Sequence, residues 1–157
     1  MQNKQLKVYL ASPLGFSIEN NHYRDRIKER LRQLHCFVFD PWERAEVIRR
    51  IEAAMSIGDT LARDQAIKEA AFFTGAVNAE GIRSSDLVLA VLDGMEPDSG
   101  TASEVGFGAG IGKKCFGLRT DFRACGDLPG IPINLQVLYF IDVSGGELFR
   151  KIEDIVL

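Results

Sequence analysis

Between Arg83 and Lys113 the chain has no lysine or arginine, yet this stretch holds Asp86, Asp93, Glu96, Asp98 and Glu104. A ligand bound there is not expected to be held by its phosphates through cationic side chains, and a neutral or cationic ligand fits better. The whole chain lacks a basic surplus as well, with 19 Lys+Arg against 22 Asp+Glu and a net charge of −3. That balance argues against nucleic acid as a partner, because phosphate-mediated binding draws on an excess of cations. Charge is uneven along the chain, residues 1–50 carrying ten basic and six acidic side chains and residues 51–157 nine and sixteen.

Cysteine is scarce. Cys36, Cys115 and Cys125 are odd in number and form no C-x-x-C pair, which argues against a disulfide framework and against a thiolate zinc site and leaves them as reduced bystanders. His22 and His35 have no metal-ligand spacing to any carboxylate or thiol. No apolar run approaches the ~20 residues a membrane span requires, since the longest covers residues 87–92, and residues 1–7 are polar rather than signal-like. The expectation is a soluble cytoplasmic protein with no membrane partner. A dinucleotide fingerprint and a phosphate-binding loop are also missing, so neither a metal nor an organic cofactor is expected. Gly100, Gly106, Gly108, Gly110 and Gly112 fall inside or at the end of a helix rather than between a strand and a helix start. Close helix-to-sheet packing, or a tight helix contact between subunits, explains them better than a cofactor.

What the sequence does contain is an alternation of strands and helices. Its 157 residues are 46% hydrophobic, which suits one domain over residues 1–157 with one buried core. Residues 7–12 read as a buried strand stopped by Pro13 and Gly15. Over residues 19–34 the apolar positions Tyr23, Ile27, Leu31 and Leu34 recur at steps of three and four, the pattern of an amphipathic helix. Residues 36–39 form a second strand that closes at Asp40 before Pro41. Residues 43–85 are helical in tone, with a break at 56–58 and a weak point at Thr74 and Gly75, and residues 66–82 should pack on the sheet. The run 86–92 is nearly continuously apolar, as a central parallel strand is. A Gly-rich helix over 101–112, strands over 114–118 and 137–141, and a terminal helix over 146–156 complete the pattern. Such alternation implies right-handed crossovers and an open five-stranded parallel sheet with helices on both faces. Ligands bind such sheets beyond the carboxyl ends of the strands, which singles out residues 11–16, 93–104 and 119–134.

In the second of these segments Thr101 and Glu104 make a T-x-x-E capping box, a common and purely structural device. The same spacing places Glu104 in a first helical turn, where the macrodipole favours an ionised carboxylate, at the crevice and beside a second carboxylate, Asp98. Two positioned carboxylates are the equipment for breaking a glycosidic bond through a covalent intermediate. A metal role for Asp93, Asp98 and Glu104 rests on ligand type alone, without a recognisable loop pattern. A phospho-receiver module would need an acidic pair after the first strand, where this chain has Ala11, Ser12 and Pro13. Phe16, Trp42, Phe72 and Phe73 are apolar groups that could stack on a base or belong to the core.

Four pieces in order resemble the nucleoside 2-deoxyribosyltransferases: V-Y-L-A-S-P at 8–13, S-D-L-V-L-A-V-L-D at 85–93, D-x-G-T-x-x-E-x-G at 98–106, and P-I-N-L at 132–135. The resemblance spans about residues 7 to 142 and implies a flavodoxin-like five-stranded parallel sheet. It also implies transfer of a 2-deoxyribosyl group from one nucleobase to another through a glutamate ester, with a 2′-deoxynucleoside and a free base as small-molecule partners. By that resemblance Glu104 is the nucleophile, Tyr9 holds its carboxylate, and Asp98 binds the sugar 5′-hydroxyl together with Asn134 of a neighbouring subunit in a homo-oligomer, a dimer or a hexamer. Ser12, Phe16 and Asp93 join the substrate contacts. The family commonly has an aspartate that trades a proton with the base eight residues before Asp86, where this chain has Asn78. An amide is no general acid at neutral pH, so Asn78 would recognise the base by hydrogen bonds alone. The same half-reaction serves hydrolysis of deoxynucleosides or their 5′-phosphates, with water as acceptor, and that alternative stands beside transfer. Segment 119–136, with Pro129, Gly130 and Pro132, is too long for a usual connection and should project from the sheet edge.

Overall fold

The computed structural model describes residues 5–157. β1 (Lys7–Ala11), β2 (Phe37–Phe39), β3 (Leu87–Val91), β4 (Lys114–Leu118) and β5 (Leu148–Phe149) form one sheet in the order β2-β1-β3-β4-β5, and every pairing is parallel. This is the 2-1-3-4-5 order of flavodoxin-like folds, in which the crevice for ligands opens where β1 and β3 send their connections in opposite directions. The α/β architecture expected from the alternation is present.

Period-two burial along β1 explains the two layers of core. Val8 and Leu10 face one side with Leu89, Ile27 and Leu31, where α1 (Asn21–Gln33) packs. Tyr9 and Ala11 face the other with Val88, Ala90 and Val105, covered by α3 (Thr60–Ser84), α4 (Ser99–Gly110) and α5 (Leu135–Val143). β3 is buried at all five positions, as its unbroken apolar run requires. The glycine-rich α4 lies close on the sheet: a Cβ at Gly108 would stand 2.9 Å from Val88 Cγ2 and 3.1 Å from Cys115 Sγ.

The helical stretch breaks as expected, α2 (Ala45–Met55) ending before Ser56 and α3 starting after Asp59, whose carboxylate accepts from Ala62 N. Thr74 and Gly75 do not break α3, which runs through them while the Thr74 hydroxyl donates to Ala70 O. A single interior glycine costs a helix only ~1 kcal/mol, which 25 residues absorb.

Two elements near the end differ from the sequence reading. Residues 137–141 are helix, not strand: Asn134 caps α5 by accepting from Gln136 N and Val137 N, and Val137 and Ile141 are buried four apart. Valine, tyrosine and phenylalanine favour strands, but the cap and the four-residue burial period override that preference here. The fifth strand is instead the pair Leu148–Phe149, and the expected terminal helix is reduced to one 3₁₀ turn, Ile152–Asp154. Nor does segment 119–134 simply project. Wholly buried Arg119 donates from its guanidinium to Leu92 O, Gly94 O and Arg123 O at 2.6, 2.8 and 3.0 Å, and Ile133 is buried. Between these two anchors much of the segment is exposed, Phe122 and Leu128 included.

Candidate active site

A cavity of about 410 Å³ opens at the carboxyl ends of β1 and β3. The loop after β1 contributes Ser12 and Phe16, the 3₁₀ turn Pro41–Glu43 contributes Trp42, α2 contributes Ile48, Ile51 and Glu52, α3 contributes Thr74 and Asn78, and the start of α4 contributes Asp98 and Glu104. The lining is mostly apolar and includes no lysine or arginine.

Glu104 sits at the inner end. Its Oε1 accepts from the Tyr9 hydroxyl at 2.6 Å and from Asn78 Nδ2 at 3.2 Å, while no bond within the described residues engages Oε2. Tyr9 is fully buried on β1, its ring stacked on Phe39 at 5.5 Å, so the hydroxyl has one fixed direction, toward α4. Burial raises the Tyr9 pKa well above the usual phenol range, and the neighbouring Glu104 charge adds to the rise, so Tyr9 remains the donor of the pair.

Burial also pushes the Glu104 carboxyl up to about 7; the Tyr9 hydrogen bond opposes the rise, and the charge of Asp98 adds to it. The capping reading of this segment needs correction. The N-cap is Asp98, whose Oδ2 accepts from Thr101 N at 2.9 Å and Thr101 Oγ1 at 3.1 Å. The helix therefore begins three residues earlier than a Thr101 cap would make it. Glu104 falls in the second turn, beyond reach of the free amides, and desolvation outweighs the dipole. Its carboxylate points into the cavity instead of back to the helix start.

The opposite wall is built on a buried charge. Asp40 is wholly buried, accepts from Trp42 N at 3.0 Å, and lies 3.5 Å from Arg24 Nε and 4.0 Å from Lys28 Nζ. Its Oδ1 ties down the turn that carries Trp42, and the indole N–H donates to Ser12 O at 2.7 Å. Gly15 makes room for the ring, since a Cβ there would stand 1.9 Å from Trp42 Cδ2. Phe16, 78% exposed, meets Trp42 edge-on at 4.6 Å and stands at the mouth. Ser12 Oγ accepts from Leu14 N and fixes the same loop.

Glu104, Tyr9, Asn78, Asp98, Ser12 and Phe16 are thus brought together at or behind one cavity. Asp93 is not. Its carboxylate accepts from the Tyr23 hydroxyl at 2.8 Å and Asp121 N at 2.6 Å, tying the loops after β3 and β4 to α1 outside the lining. Asn134 is also apart, capping α5 and lining a second hollow of about 340 Å³ with Glu96, Ser99, Cys125 and Asp127. Phe72 is exposed and Phe73 lies under Arg50 at 3.9 Å, so neither lines the cavity. The sequence reading missed the α2 wall. The spacing of Val47, Ile48 and Ile51 marked a helix face, but nothing in it said that part of that face would line a ligand space rather than the core.

Among the described residues no group of three or more His, Cys, Asp or Glu side chains is placed to hold a metal ion, and no helix is long and apolar enough to cross a membrane.

Comparison with known proteins gives the following. The family model for nucleoside 2-deoxyribosyltransferase matches residues 8–136. A conserved protein from Enterococcus faecalis V583 shares 26% identity with the chain over 96% of this chain and 94% of that one, with a TM-score of 0.70. The 2-deoxyribosyltransferase of Bacillus psychrosaccharolyticus shares 22% identity over 96% and 93%, with a TM-score of 0.61, a likeness of fold. No curated protein sequence matches the chain significantly.

Proposed function

Since the chain belongs to the nucleoside 2-deoxyribosyltransferase family, we propose that it moves a 2-deoxyribosyl group between nucleobases through an ester on Glu104. One observation carries this reading: a half-buried carboxylate, gripped on one oxygen by Tyr9 and Asn78, with the other oxygen free toward an apolar cavity at the strand ends.

In the first half-reaction Glu104 Oε2 attacks C1′ of the bound deoxynucleoside. The C1′–Oε2 bond forms, the C1′–N bond breaks, and its electron pair leaves with the base. Tyr9 holds Oε1 so that the free lone pair points at C1′, which is positioning rather than proton transfer. Asn78 cannot supply the proton the departing base takes up, so water at the cavity mouth provides it. In the second half-reaction a ring nitrogen of another base attacks C1′, the C1′–Oε2 bond breaks, Glu104 leaves as a carboxylate, and the proton that the attacking base loses passes to water at the cavity mouth. Asp98 would accept from the sugar 5′-hydroxyl with Oδ1, since its cap uses Oδ2. Asn134 would complete another subunit's site, since within its own chain it lies outside the cavity. A cavity with two carboxylates at its inner end and no cation in its lining favours a neutral nucleoside over its 5′-phosphate.

Incubation with a deoxynucleoside, with and without a second free base, tests the reading by product chromatography. A new nucleoside that appears only with the second base is the expected result. Free base and deoxyribose at a rate the second base leaves unchanged would make the enzyme a hydrolase.

A further inference from the structure

A base that leaves C1′ takes an electron pair with it, and the cavity has two ways to meet that charge: a proton or a cation. Neither is present among the described residues. The lining holds no lysine or arginine, and its donors are hydroxyls, an indole and an amide. The Trp42 indole N–H goes to Ser12 O at 2.7 Å and the Thr74 hydroxyl to Ala70 O at 2.8 Å. The Ser12 hydroxyl and the second N–H of the Asn78 amide remain for a base, and both can donate a hydrogen bond without giving up a proton at neutral pH. Tyr9 spends its hydroxyl on Glu104, and burial suppresses its acidity. Glu52, Asp98 and Glu104 enter as carboxylates, which accept and do not donate, and Glu104 has to be ionised to attack at all.

We propose, resting on the reading that Glu104 attacks C1′, that the base departs as an anion and that the site therefore takes deoxynucleosides of electron-poor bases, those whose ring nitrogen best holds the pair it leaves with. As the C1′–Oε2 bond forms and the C1′–N bond breaks, the pair moves onto the base nitrogen. Water protonates that nitrogen after departure, and the hydroxide left behind is neutralised by the proton the incoming base loses, so the full cycle needs no net proton. A positioned acid would share the charge in the transition state and level the differences between bases, an effect worth about 10²–10⁴-fold in rate. Without one, and with two carboxylates at the inner end repelling the anion, each gain in the acidity of the base passes almost fully into the rate of bond breaking. Trp42, Ile48 and Ile51 offer apolar contact that rings of one shape share, so selection among such rings is electronic.

Pairs of deoxynucleosides nearly matched in shape test this: 2′-deoxyuridine and its 5-fluoro derivative, thymidine and 5-bromo-2′-deoxyuridine, and 2′-deoxyadenosine and its 2-fluoro derivative. In each pair the halogen makes the free base the stronger acid. Base release is followed in a single turnover with the full chain in excess, well above the Glu104 limb, in H₂O and in D₂O, which separates bond breaking from binding and from the fate of the sugar. The expected result is that the halogenated member of every pair the chain cleaves reacts about tenfold faster, with rates that change by less than about twofold in D₂O. Asn78→Ala, which removes an uncommitted donor, should slow both members alike and keep their ratio. Equal rates within the pairs, a larger fall in D₂O, or a ratio that widens in Asn78→Ala would each put proton donation into the transition state and overturn the inference. Halogen preference with release of base and free deoxyribose alone keeps the inference and replaces transfer by hydrolysis; transfer at equal rates within the pairs does the reverse. No base release from any of these substrates removes both.

Discussion

Replacing Glu104 by glutamine should make the protein more stable while abolishing its turnover. The carboxyl ordinarily titrates at 4.5 and is pushed up to about 7 by burial. At 1.36 kcal/mol per pH unit, that difference means the ionised form is disfavoured in the folded chain by roughly 3 kcal/mol. Between these two values the folded state binds more protons than the unfolded one, so wild-type stability falls as pH rises from about 4.5 to about 7 and is level above that. Glutamine removes the charge and keeps the shape. Its carbonyl oxygen still accepts from Tyr9 and Asn78, and its amide nitrogen takes the place of Oε2, which has no partner among the described residues to lose. Thermal unfolding of both proteins across pH 5 to 8.5 reads the effect. For a chain of this length a gain of roughly 3 kcal/mol is about 6–12 °C, expected at pH 8 and shrinking toward zero near pH 4.5. A variant that unfolds at the same or lower temperature than wild type at pH 8 would refute the claim that burial destabilises the carboxylate.

Further outcomes follow from the same geometry. The pH profile of kcat/KM should rise tenfold per unit below about 7 and flatten above it, as Glu104 must be ionised to attack; Tyr9→Phe, by removing a bond that lowers the Glu104 pKa, should cut kcat and move that limb to higher pH, and an unmoved limb would detach Tyr9 from Glu104. Gly15→Ala drives a methyl into the Trp42 ring and should cost ~1–3 kcal/mol and weaken base binding, read by chemical unfolding and Trp42 fluorescence. Mixed subunits of Glu104→Ala and Asn134→Ala should regain part of the activity each lacks alone, whereas no recovery in mixtures shown to exchange subunits would place the whole site in one chain.

The sheet and the inner end of the site were legible in the sequence for the same reason: both rest on short-range patterns with a strong physical meaning. The apolar run through Leu89 admits little besides a central strand, and a tyrosine on the first strand facing a glutamate on the helix after the third follows once those strands are neighbours. Residues 137–141 were misread because their composition favours a strand, and the cap supplied by Asn134 outweighs it. Asp93 looked like a site residue from its place after β3, yet Tyr23 and Asp121 N, contacts far away in sequence, take its carboxylate. The α2 wall was invisible because the packing of α2 beside α3 decides which of its faces meets the cavity, and no local pattern encodes that packing. Likewise the raised pKa of Glu104 depends on a burial that spacing alone did not reveal, since spacing pointed to a first turn whose dipole favours the ionised carboxylate.

The central claim is that Glu104 forms a covalent bond to the sugar. Intact-mass measurement after incubation with a 2-fluoro-2-deoxy nucleoside, whose fluorine slows release of the ester, addresses it directly. The account predicts one adduct per chain, mapped to Glu104 by peptide sequencing and absent from Glu104→Gln. An adduct on any other residue, or full turnover by Glu104→Gln, would contradict it.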